Sequence, residues 1–403
     1  MLAEAEKNLV FDHARDWFPA LLPAEADRFD DLLFLDHEGA RQWYERPVTG
    51  ARLFMSSGTS GPPKPVAWTP EEDAWYEAEK AELFGPWLNG CRRGFVSLGA
   101  GHNAGSAGSV LERSGLQVHD AGLSALEVQC SALTAFAPDV LYCSPSILAN
   151  LIGGLRQRGL RPASVRRIIT NGELLLPSAR ARAESYFGIG RADVVDTYGS
   201  TEVGTIACTC PACGAFHFMD GLYPEPVPAE ASGPAGWGPD ASVLAVSSTK
   251  RTSFPVVRLV TYDVVRGLRR SACGGAQRFT FDCLLGRCDD VVNYGELFSL
   301  FDLAELIGRR LPGTRWLVFN PSDWLVIVIE GSEPAGFRDE VWDRYPVHGR
   351  MAELGLLNAP EIRFVEGFDA FLARSGLPAG GAGKDTRRVH RLRPEPSWFE
   401  DGR

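Results

Sequence analysis

Short apolar runs alternate with helical patterns between residues 93 and 200, and this alternation constrains the fold more than any other feature of the chain. Strands joined by helices pair in parallel, because the crossover returns the chain to the same end of the sheet. The predicted strands are 95–98, 139–143, 167–170 and 193–196, and the predicted helices are 147–156 and 177–187. The pattern indicates an α/β fold with mostly parallel sheets, in which ligands bind at the carboxyl ends of the strands.

The rest of the chain changes in character twice. Residues 206–283 are rich in predicted strands and turns, including a strand at 255–261, and a smaller α+β unit follows. A chain of 403 residues is too long for one ordinary core. We therefore predict a large N-terminal domain at 1–286, which includes the β-rich subdomain, and a small C-terminal domain at 287–403.

Composition and charge exclude two classes of partner. The net charge is -10 and no long segment is strongly basic, so the chain has no electrostatic attraction for a phosphate backbone. No apolar run approaches the roughly 18 residues that a membrane-spanning helix needs. Residues 1–15 mix acids and bases without an apolar centre, which is unlike a secretory signal. We expect a cytoplasmic protein that binds neither nucleic acid nor membranes.

A loop rich in glycine and hydroxyl residues follows a short predicted strand at 52–55. Glycines let successive backbone N–H groups turn toward an anion, and a lysine adds positive charge. The residues concerned are Ser56, Ser57, Gly58, Thr59, Ser60, Gly61 and Lys64. The loop is not a Walker A loop, because Pro63 takes the place of the glycine before the lysine. By composition alone, a tight surface turn explains it equally well.

Four further motifs follow this loop in order. They are Asp196-Thr197-Tyr198-Gly199-Ser200-Thr201-Glu202, Arg258-Leu259-Val260-Thr261-Tyr262-Asp263, Gly286-Arg287-Cys288-Asp289-Asp290 and Gly383-Lys384-Asp385-Thr386-Arg387-Arg388-Val389. Taken singly, each is compatible with an ordinary strand end or surface turn. Together the five resemble the acyl-adenylate-forming superfamily, which contains acyl-coenzyme A synthetases, peptide-synthetase adenylation domains and luciferases. The resemblance implies a large adenylation domain and a small, mobile α+β C-terminal domain.

The resemblance places the nucleotide at the first two motifs. The glycine-rich loop would hold the phosphates of ATP. Tyr198 would stack on adenine, with Gly199 and Ser200 beside it, and Thr201 would contact the α-phosphate. Glu202 would hold Mg²⁺, because a hard cation prefers carboxylate oxygens.

The later motifs would complete the site. Asp263 would accept hydrogen bonds from both ribose hydroxyls, although Tyr262 replaces the glycine that usually precedes this aspartate. Arg287 would contact ATP, and Asp289 would be the hinge between the two domains. Lys384 would be the catalytic lysine, which neutralises charge between the substrate carboxylate and the α-phosphate.

Three features most resemble the phenylacetate–coenzyme A ligase branch of this superfamily: the short chain, Glu173 directly after Asn171-Gly172, and a cysteine-rich insert. In that branch Glu173 would lie beside the nucleotide, whereas on its own it is an ordinary turn acid. The segment after the hinge is shorter than the family pattern.

The insert contains Cys208, Cys210 and Cys213, with His217 four residues further on. Thiolates and an imidazole at this spacing suit tetrahedral Zn²⁺, and disulfides are not expected in a reducing compartment. We predict a structural zinc rather than free buried thiols. A catalytic zinc is not expected, because four protein ligands leave no open position. The candidates that could replace His217 as the fourth ligand are Cys273, Cys283 and Cys288.

The glycine-rich segment 99–105 resembles a dinucleotide loop at first sight, with Asp120 as the distant acid. Its last glycine comes one residue late, and the five motifs assign the nucleotide elsewhere. In the resembled family this loop lines the acyl pocket, which makes His102 and Asn103 candidate pocket residues; a plain loop is equally compatible.

The predicted function is ATP- and Mg²⁺-dependent activation of a small, aromatic carboxylic acid as an acyl-AMP. Coenzyme A is the acyl acceptor that the resemblance implies, and an amine or a carrier-protein thiol would use the same adenylate. Two alternatives remain: an amide ligase or diazotase that makes no thioester, and a non-catalytic, zinc-stabilised nucleotide binder. The resemblance also suggests a homodimer.

Overall fold

A computed structural model describes residues 2–56, 64–98, 102–122, 124–228, 237, 240–288, 292–294, 296–298, 300–320, 325–345, 360–377, 389–390 and 394–399. The chain forms two compact units. The first is drawn from Met1–Leu175 and Ala183–Cys288, and the second from Leu176–Arg182 and Asp289–Arg403. Within the described ranges, no helix is long and apolar enough to cross a membrane.

The helices are α1 (Glu4–Trp17), α2 (Arg41–Tyr44), α3 (Pro70–Phe84), α4 (His102–Arg113), α5 (Leu126–Phe136), α6 (Pro145–Gln157), α7 (Pro177–Phe187), α8 (Leu300–Arg310), α9 (Phe337–Arg344) and α10 (Phe368–Ser375). Short 3₁₀ turns lie at Pro19–Leu21, Phe29–Asp31, Arg191–Asp193 and Pro396–Phe399.

The strands are β1 (Arg52–Met55), β2 (Pro65–Trp68), β3 (Arg93–Ser97), β4 (Gln117–Asp120), β5 (Val140–Cys143), β6 (Arg167–Asn171), β7 (Val194–Ser200), β8 (Gly204–Thr209), β9 (Phe216–Phe218), β10 (Leu222–Pro226), β11 (Ala241–Ser248), β12 (Leu259–Arg266), β13 (Arg269–Cys273), β14 (Ala276–Phe281), β15 (Cys283–Arg287), β16 (Val292–Tyr294), β17 (Glu296–Phe298), β18 (Trp316–Phe319), β19 (Val326–Glu330), β20 (Glu361–Val365) and β21 (Val389–His390).

A nine-stranded sheet in the order β13-β14-β9-β8-β7-β6-β5-β3-β4 dominates the first unit. Strands β3, β5, β6 and β7 are parallel, as predicted from the alternation of strands and helices, and β4 adds a further parallel strand beside β3. All four residues of β5 are buried, as expected for a central parallel strand covered on both faces. The remaining strands add to β7 in antiparallel fashion, and the turn that follows Ser200 is where the direction changes.

The strand predicted at 52–55, before the glycine-rich loop, is present as β1. It does not belong to the main sheet, because β1 and β2 form a separate antiparallel hairpin in which Met55 is opposite Pro65. The ladder continues past this pair, with Ser56 N–H donating to the Lys64 carbonyl at 2.8 Å. The loop therefore joins two strands, and helix α3 begins only after β2, where Thr69 caps it in a box with Glu72.

Two smaller predictions were wrong. The strand expected at 255–261 begins only at Leu259, because Arg258 has a φ of 46°, outside the extended region. The segment 99–105 was expected to be a loop, but helix α4 begins at His102; residues 99–101 lie outside the described residues. The predicted β-rich part is divided between two sheets: β10, β11, β12 and β15 form an antiparallel sheet of four strands, whereas β8, β9, β13 and β14 join the main sheet.

The second unit has the predicted α+β composition. Its sheet has the order β20-β19-β18-β21; β18 and β19 are antiparallel, and each pairs in parallel with its outer neighbour. Helices α8 and α9 pack on this sheet through buried side chains such as Leu303, Ile307 and Phe337, which contact the inward residues of β18 and β19.

A fully buried ion pair lies at the centre of the first unit. The guanidinium of Arg251 has no solvent exposure and pairs with Glu72 in the first turn of α3. Arg251 also donates to the Ala67 carbonyl of β2 at 2.8 Å and to the Glu202 carbonyl at 3.0 Å. Glu72 in turn accepts from the backbone N–H groups of residues 252 and 253 at 2.7 and 2.9 Å. The pair thus connects a hairpin strand, a helix and the turn after β7.

Burial and ion pairing shift the pKa values of Arg251 and Glu72 in opposite directions. Burial lowers the pKa of Arg251 to about 10, against the attraction of Glu72. Burial alone would raise the pKa of Glu72, but Arg251 and the donors of Ser253 hold it below its ordinary value of 4.5. Both groups are therefore charged at neutral pH, and each satisfies the other.

A close crossing of two backbones requires glycine at residue 199. A Cβ on Gly199 would lie 2.2 Å from the Gly204 carbonyl oxygen and 3.0 Å from Thr205 Cα. Gly204 has a φ of 88°, and a Cβ there would meet the rings of Tyr76 and Trp68 at 2.9 and 3.0 Å. The glycine of the Tyr-Gly motif thus lets β8 return tightly along β7.

Replacing Gly199 by alanine will destabilise the first unit, because backbone atoms rather than a flexible side chain must move. Overpacking of this kind costs about 3 kcal/mol, and we expect the midpoint of thermal unfolding to fall by about 5–10 °C. Gly153→Ala is the matched control, since Gly153 lies within α6 with nothing within 4 Å of its added Cβ. Helix propensity predicts that this control is neutral or slightly stabilising. Equal midpoints for the two variants would contradict a steric requirement at Gly199.

Replacing Glu72 by glutamine will leave the Arg251 charge buried without a counter-ion. We expect a loss of about 3–5 kcal/mol in the free energy of unfolding, measured by urea titration. The adjacent Glu71 is exposed, so Glu71→Gln will change stability by less than about 0.5 kcal/mol.

The loss of stability in Glu72→Gln will depend on pH. Because the pKa of Glu72 is below 4.5 in the folded protein, its contribution is complete above pH 4.5 and is lost as the pH falls. The difference between wild type and Glu72→Gln will therefore narrow in acid. If wild type and Glu72→Gln differ in free energy of unfolding by the same amount at neutral and acidic pH, the ionised Glu72 does not provide this stabilisation.

Candidate active site

Three of the predicted nucleotide-site residues lie in direct contact. The Tyr198 hydroxyl donates to Asp263 Oδ2 at 2.6 Å, and Arg287 Nη1 lies 3.2 Å from Asp263 Oδ1. Tyr198 lies on β7, while Asp263 and Arg287 face each other across β12 and β15. Burial, with a further contribution from Asp263, raises the pKa of Tyr198, so its hydroxyl remains a donor. Residues from three separate motifs thus form one cluster, which we call the tyrosine–aspartate cluster.

Tyr262, which stands where the family pattern has glycine, keeps the backbone conformation of a glycine. Its φ is 61°, a left-handed conformation that glycine adopts freely and a bulky residue adopts at a cost of about 1–2 kcal/mol. The register of β12 against β11 shifts between Val243 and Ala245, around this residue. The backbone geometry that favours glycine is therefore retained, and a tyrosine side chain is carried on it.

A second cluster contains Glu202, Lys64 and Tyr44. Glu202 is 8% exposed, and its Oε1 accepts from the Tyr44 hydroxyl at 3.2 Å. The Lys64 ammonium lies 5.2 Å from the centre of the Tyr44 ring. Burial lowers the pKa of Lys64, Glu202 opposes this, and Arg287 adds to it. The tyrosine therefore lies between the lysine of the glycine-rich loop and the acid of the second motif; we call this the lysine–glutamate cluster.

His37 lies between Tyr262, the neighbour of Asp263 in the chain, and Tyr44 of the lysine–glutamate cluster. Its ring stacks on Tyr262 with centroids 4.9 Å apart, and its Nδ1 lies 3.4 Å from the Tyr44 hydroxyl. Burial lowers the pKa of His37, and Lys64 lowers it further. The segment that carries His37 is held against β12, because Leu35 exchanges backbone hydrogen bonds with Arg258 and Val260 at 3.0 and 2.9 Å.

His37 and Tyr44 were missed from the sequence. Neither belongs to a motif, and Tyr44 is separated from Glu202 by 158 residues. The surrounding segment contains only short helical turns, so no periodicity indicates which side chains face inward. The one local signal in the sequence was Tyr262. An aromatic residue at a position that favours glycine costs free energy, and a stacking partner such as His37 offsets that cost.

Side chains from the core of the unit donate hydrogen bonds to the backbone of the turn after β7. Trp68 Nε1 donates to the Thr201 carbonyl at 2.9 Å, and Arg251 donates to the Glu202 carbonyl. The Ser200 hydroxyl accepts from the Val203 N–H at 3.3 Å. Because the backbone of the turn is fixed in this way, its side chains are positioned by the core of the unit.

Several predicted site residues lie outside the described residues: Ser57, Gly58, Thr59, Ser60, Gly61, Asp289 and Lys384. The base of the glycine-rich loop is described, and there Ser56 Oγ accepts from the Lys64 N–H at 2.9 Å.

Glu173 contacts a helix start. Its carboxylate accepts from the Ser146 N–H at 2.9 Å and from the Ser146 hydroxyl at 2.7 Å, in the first turn of α6. These bonds place Glu173 after the carboxyl end of β6, where the sequence put it. Its expected position beside the nucleotide stays a prediction.

His102 and Asn103 begin helix α4 among aromatic side chains. His102 is 2% exposed and stacks on Trp68 with ring centroids 3.6 Å apart. Asn103 Oδ1 accepts from the Tyr76 hydroxyl, which also contacts Thr205 Oγ1 at 2.9 Å. Burial lowers the pKa of His102 to about 4, although its bond to Asp73 opposes the shift.

A cluster of three cysteines and a histidine corrects the predicted ligand set. The ligand atoms of Cys210, Cys213, His217 and Cys273 all lie within 4.8 Å of one another. Cys208 is not among them, because it lies within β8 in the hydrophobic core, where burial raises the pKa of its thiol to about 12. Cys208 thus lies outside the cluster to which the sequence assigned it, and Cys273 joins His217 rather than replacing it.

Two turns build this cluster. Residues 210–214 form a tight turn closed by backbone bonds of 2.8 Å, with Gly214 at a φ of 77°. Cys273 ends β13 at the Gly274-Gly275 turn to β14, where both glycines have positive φ. Cys210 Sγ lies 3.8 Å from Cys273 Sγ, and Cys213 Sγ lies 3.2 Å from His217 Nε2.

The spacing and protonation of the cluster suit a cation. Two thiolates bound at 2.3 Å to a tetrahedral zinc lie about 3.8 Å apart, which matches the Cys210–Cys273 separation. Burial alone would raise the pKa of Cys210, but the backbone N–H groups of Cys213 and Ala212 hold it below its ordinary value. Cys210 and Cys213 raise the pKa of Cys273 to about 11. Such crowded thiols cannot all ionise without a positive partner.

Comparison with known proteins gives a consistent picture, although no family model matches the chain. A fumarate–(S)-2,3-diaminopropanoate ligase from Enterobacter agglomerans is 28% identical over 366 residues, covering 87% of this chain and 91% of the relative. A phenylacetate–coenzyme A ligase from Aromatoleum evansii is 27% identical over 254 residues, 60% of this chain and 56% of the relative.

The fold also matches a solved structure. A 2-hydroxyisobutyryl-coenzyme A ligase in complex with its acyl-AMP aligns with a TM-score of 0.71 and 16% identity, over 97% of this chain and 86% of that one. Five ordered motifs, the two similar sequences and this shared fold agree. The chain is similar to the acyl-adenylate-forming superfamily of AMP-forming ligases and, within it, to the phenylacetate–coenzyme A ligase branch.

Proposed function

We propose that this chain activates a small carboxylic acid with ATP as an acyl-AMP and transfers the acyl group to an amine. One observation carries the proposal: the tyrosine–aspartate and lysine–glutamate clusters unite residues of four separate motifs and are joined through His37. A nucleotide needs contacts of these kinds for its base, ribose and phosphates.

The tyrosine–aspartate cluster supports recognition of the nucleoside. Asp263 is an acceptor-only carboxylate whose orientation is set by Tyr198 and Arg287, and a ribose offers two hydroxyl donors to such a group. Tyr198 offers its ring to the adenine, and Arg287 brings a positive charge to the phosphate side.

The lysine–glutamate cluster supports binding of Mg²⁺ and phosphate. Glu202 Oε1 is held by Tyr44, while no residue in the described ranges donates to Oε2. An oriented carboxylate oxygen of this kind fits a hard cation that keeps most of its water. When bound, Mg²⁺ would neutralise charge on the triphosphate. Lys64 would add a second positive charge at the base of the glycine-rich loop.

The chemistry of the first step requires orientation and charge neutralisation. An oxygen of the substrate carboxylate attacks the α-phosphorus, a new P–O bond forms, and the bond to pyrophosphate breaks. We assign Lys384 to the charge that develops between the two reacting groups, and Thr201 to the α-phosphate. The proposed division of the chain at 286/287, with rotation about Asp289, would withdraw Lys384 before the acyl group is transferred.

The comparison of lengths favours an amine as the acceptor. The relative that joins fumarate to (S)-2,3-diaminopropanoate matches this chain over 91% of its own length, whereas the chain spans little more than half of the phenylacetate–coenzyme A ligase. An amine and a thiol would attack the same adenylate carbonyl and release AMP. Coenzyme A is the second candidate, supported by the fold shared with a coenzyme A ligase. The acid itself is either an aryl acid or a short dicarboxylate.

We also propose that the cluster of Cys210, Cys213, His217 and Cys273 holds a structural zinc. Four ligand atoms of suitable chemistry already converge there, and they complete a tetrahedral set. The zinc would join the turn after β8 to the β13–β14 hairpin, at the edge of the nine-stranded sheet.

Exchange of labelled pyrophosphate into ATP tests the first step. We expect exchange with one member of a panel that includes benzoate, phenylacetate, fumarate and succinate. Lys384→Ala will lower the exchange rate at least about 100-fold, the size of effect seen when a group that stabilises developing charge is removed. Lys7→Ala, at an exposed ion pair with Asp30, is the matched control and will leave the rate unchanged.

Two outcomes would redirect the assignment. If the protein binds ATP but supports no exchange with any acid, the non-catalytic nucleotide binder becomes the better description. If exchange occurs and the product with coenzyme A is a thioester while amines are not acylated, the acceptor is a thiol.

Zinc content tests the metal site. The wild-type protein will contain about one zinc per chain, measured by mass spectrometry of the metal. Cys273→Ser and Cys213→Ser will lose it and will unfold at a lower temperature. Cys208→Ser is the matched control, because Cys208 lies outside the cluster, and it will retain its zinc. Loss of zinc from Cys208→Ser and Cys213→Ser, with zinc retained by Cys273→Ser, would restore the ligand set predicted from the sequence.

A further inference from the structure

His102 is held in one orientation by aromatic contacts and a hydrogen bond. Its ring lies flat on Trp68 with an interplanar angle of 15°, and Phe54 and Tyr76 contact its other sides at 5.0 and 4.6 Å between centroids. Its Nε2 lies 2.8 Å from Asp73 Oδ1. Neither nitrogen can be exchanged by a flip of the ring without breaking the bond to Asp73.

The bond to Asp73 determines which nitrogen carries the hydrogen. Asp73 Oδ2 accepts from Arg52 Nε at 3.0 Å. Because a carboxylate only accepts, His102 Nε2 must be the donor. Burial keeps the imidazole neutral, as its lowered pKa of about 4 indicates. His102 Nδ1 is therefore a bare lone pair, an acceptor of hydrogen bonds.

This acceptor is buried, and no residue in the described part of the chain donates to it. Folded proteins pair nearly all of their buried polar atoms, because an unpaired one costs free energy. Nothing in the network that holds the ring requires Nδ1 to be left open. Its open state is what a binding site needs when the donor is supplied by a ligand.

The position of His102 relative to the proposed reaction centre supports this. The guanidinium of Arg251 lies 3.7 Å from the centre of the Trp68 ring, so it and His102 must cover opposite faces of the indole. The same indole donates to the Thr201 carbonyl at 2.9 Å. His102 thus lies one aromatic ring away from the turn to which the proposed function assigns the α-phosphate.

We propose that His102 Nδ1 is a substrate-recognition acceptor, and that the bound substrate supplies an N–H or O–H donor to it. This inference rests on the proposed function, and it narrows the substrate class. The donor belongs either to the acid, as a hydroxyl or amino substituent, or to the acceptor amine. Asp73 is a positioning residue that sets the polarity of the site by holding the hydrogen on Nε2.

Two variants remove the acceptor in different ways. His102→Phe keeps a ring on Trp68 but has no lone pair. Asp73→Asn keeps every side chain in place but reverses the polarity: Arg52 requires the amide oxygen, so the amide NH₂ faces Nε2 and moves the hydrogen to Nδ1. If His102→Phe does not fold, Asp73→Asn still tests the role of the acceptor.

The experiment measures KM for matched substrates that differ by one donor. The acid arm uses pyrophosphate exchange with benzoate against 4-hydroxybenzoate and succinate against malate. The amine arm uses AMP release with 2,3-diaminopropanoate against 3-aminopropanoate, with whichever acid supports exchange. We expect the wild type to prefer the donor-bearing member in one arm, and each variant to lose that preference through a rise in KM of about tenfold, the value of one hydrogen bond.

The outcomes distinguish a recognition role for His102 from a structural one. If His102 only supported the fold, its replacement would weaken both members of a pair equally, and that result would overturn the proposal. It would also be overturned if the wild type shows no preference in either arm, or if both variants keep it. No exchange by the wild type with any acid would instead overturn the proposed function, and this inference with it.

Discussion

The buried pair of Arg251 and Glu72 is the interaction on which the rest of the first unit depends. Its two charges lie in the core, where neither is tolerated without the other. Their remaining donors and acceptors are used on the backbone of β2, of the turn after β7 and of residues 252–253. A single ionic contact therefore sets the relative positions of the hairpin before α3 and the turn that carries Glu202. The glycine-rich loop connects the two strands of that hairpin, so two motifs of the proposed nucleotide site share one support.

The candidate site shows how a departure from a family pattern can be accommodated. Tyr262 occupies a backbone position that favours glycine, and its side chain is stabilised by stacking on His37. His37 in turn reaches Tyr44, which orients Glu202. The chain from Tyr262 to Glu202 links the acid proposed for the ribose with the acid proposed for Mg²⁺. The N-terminal segment, which belongs to no recognised motif, is thus an integral part of the site.

Two further features, His102 and the cysteine–histidine cluster, have the same physical basis. His102 is oriented by Asp73 and Trp68 so that one of its nitrogens is left open, and the cysteine–histidine cluster gathers ligands that are unfavourable together without a cation. In both places, folding brings together polar groups that lack a partner within the described part of the chain: a hydrogen-bond donor for His102 Nδ1 and a cation for the thiols. A bound partner, a substrate donor in one case and a metal ion in the other, would supply what is missing.

The sequence by itself determined the parallel half of the main sheet, the helix cap at Thr69, the order of the five motifs and hence the resemblance to the superfamily, because these depend on local periodicity and short spacing. Only the tertiary structure decided that the glycine-rich loop belongs to a hairpin, that Cys273 and not Cys208 joins the cysteine cluster, and that His37 and Tyr44 connect the two acids. Each of these rests on contacts between residues far apart in the chain, often more than 60 positions. Which side chains meet across such distances is set by the packing of whole elements, and no local pattern encodes it.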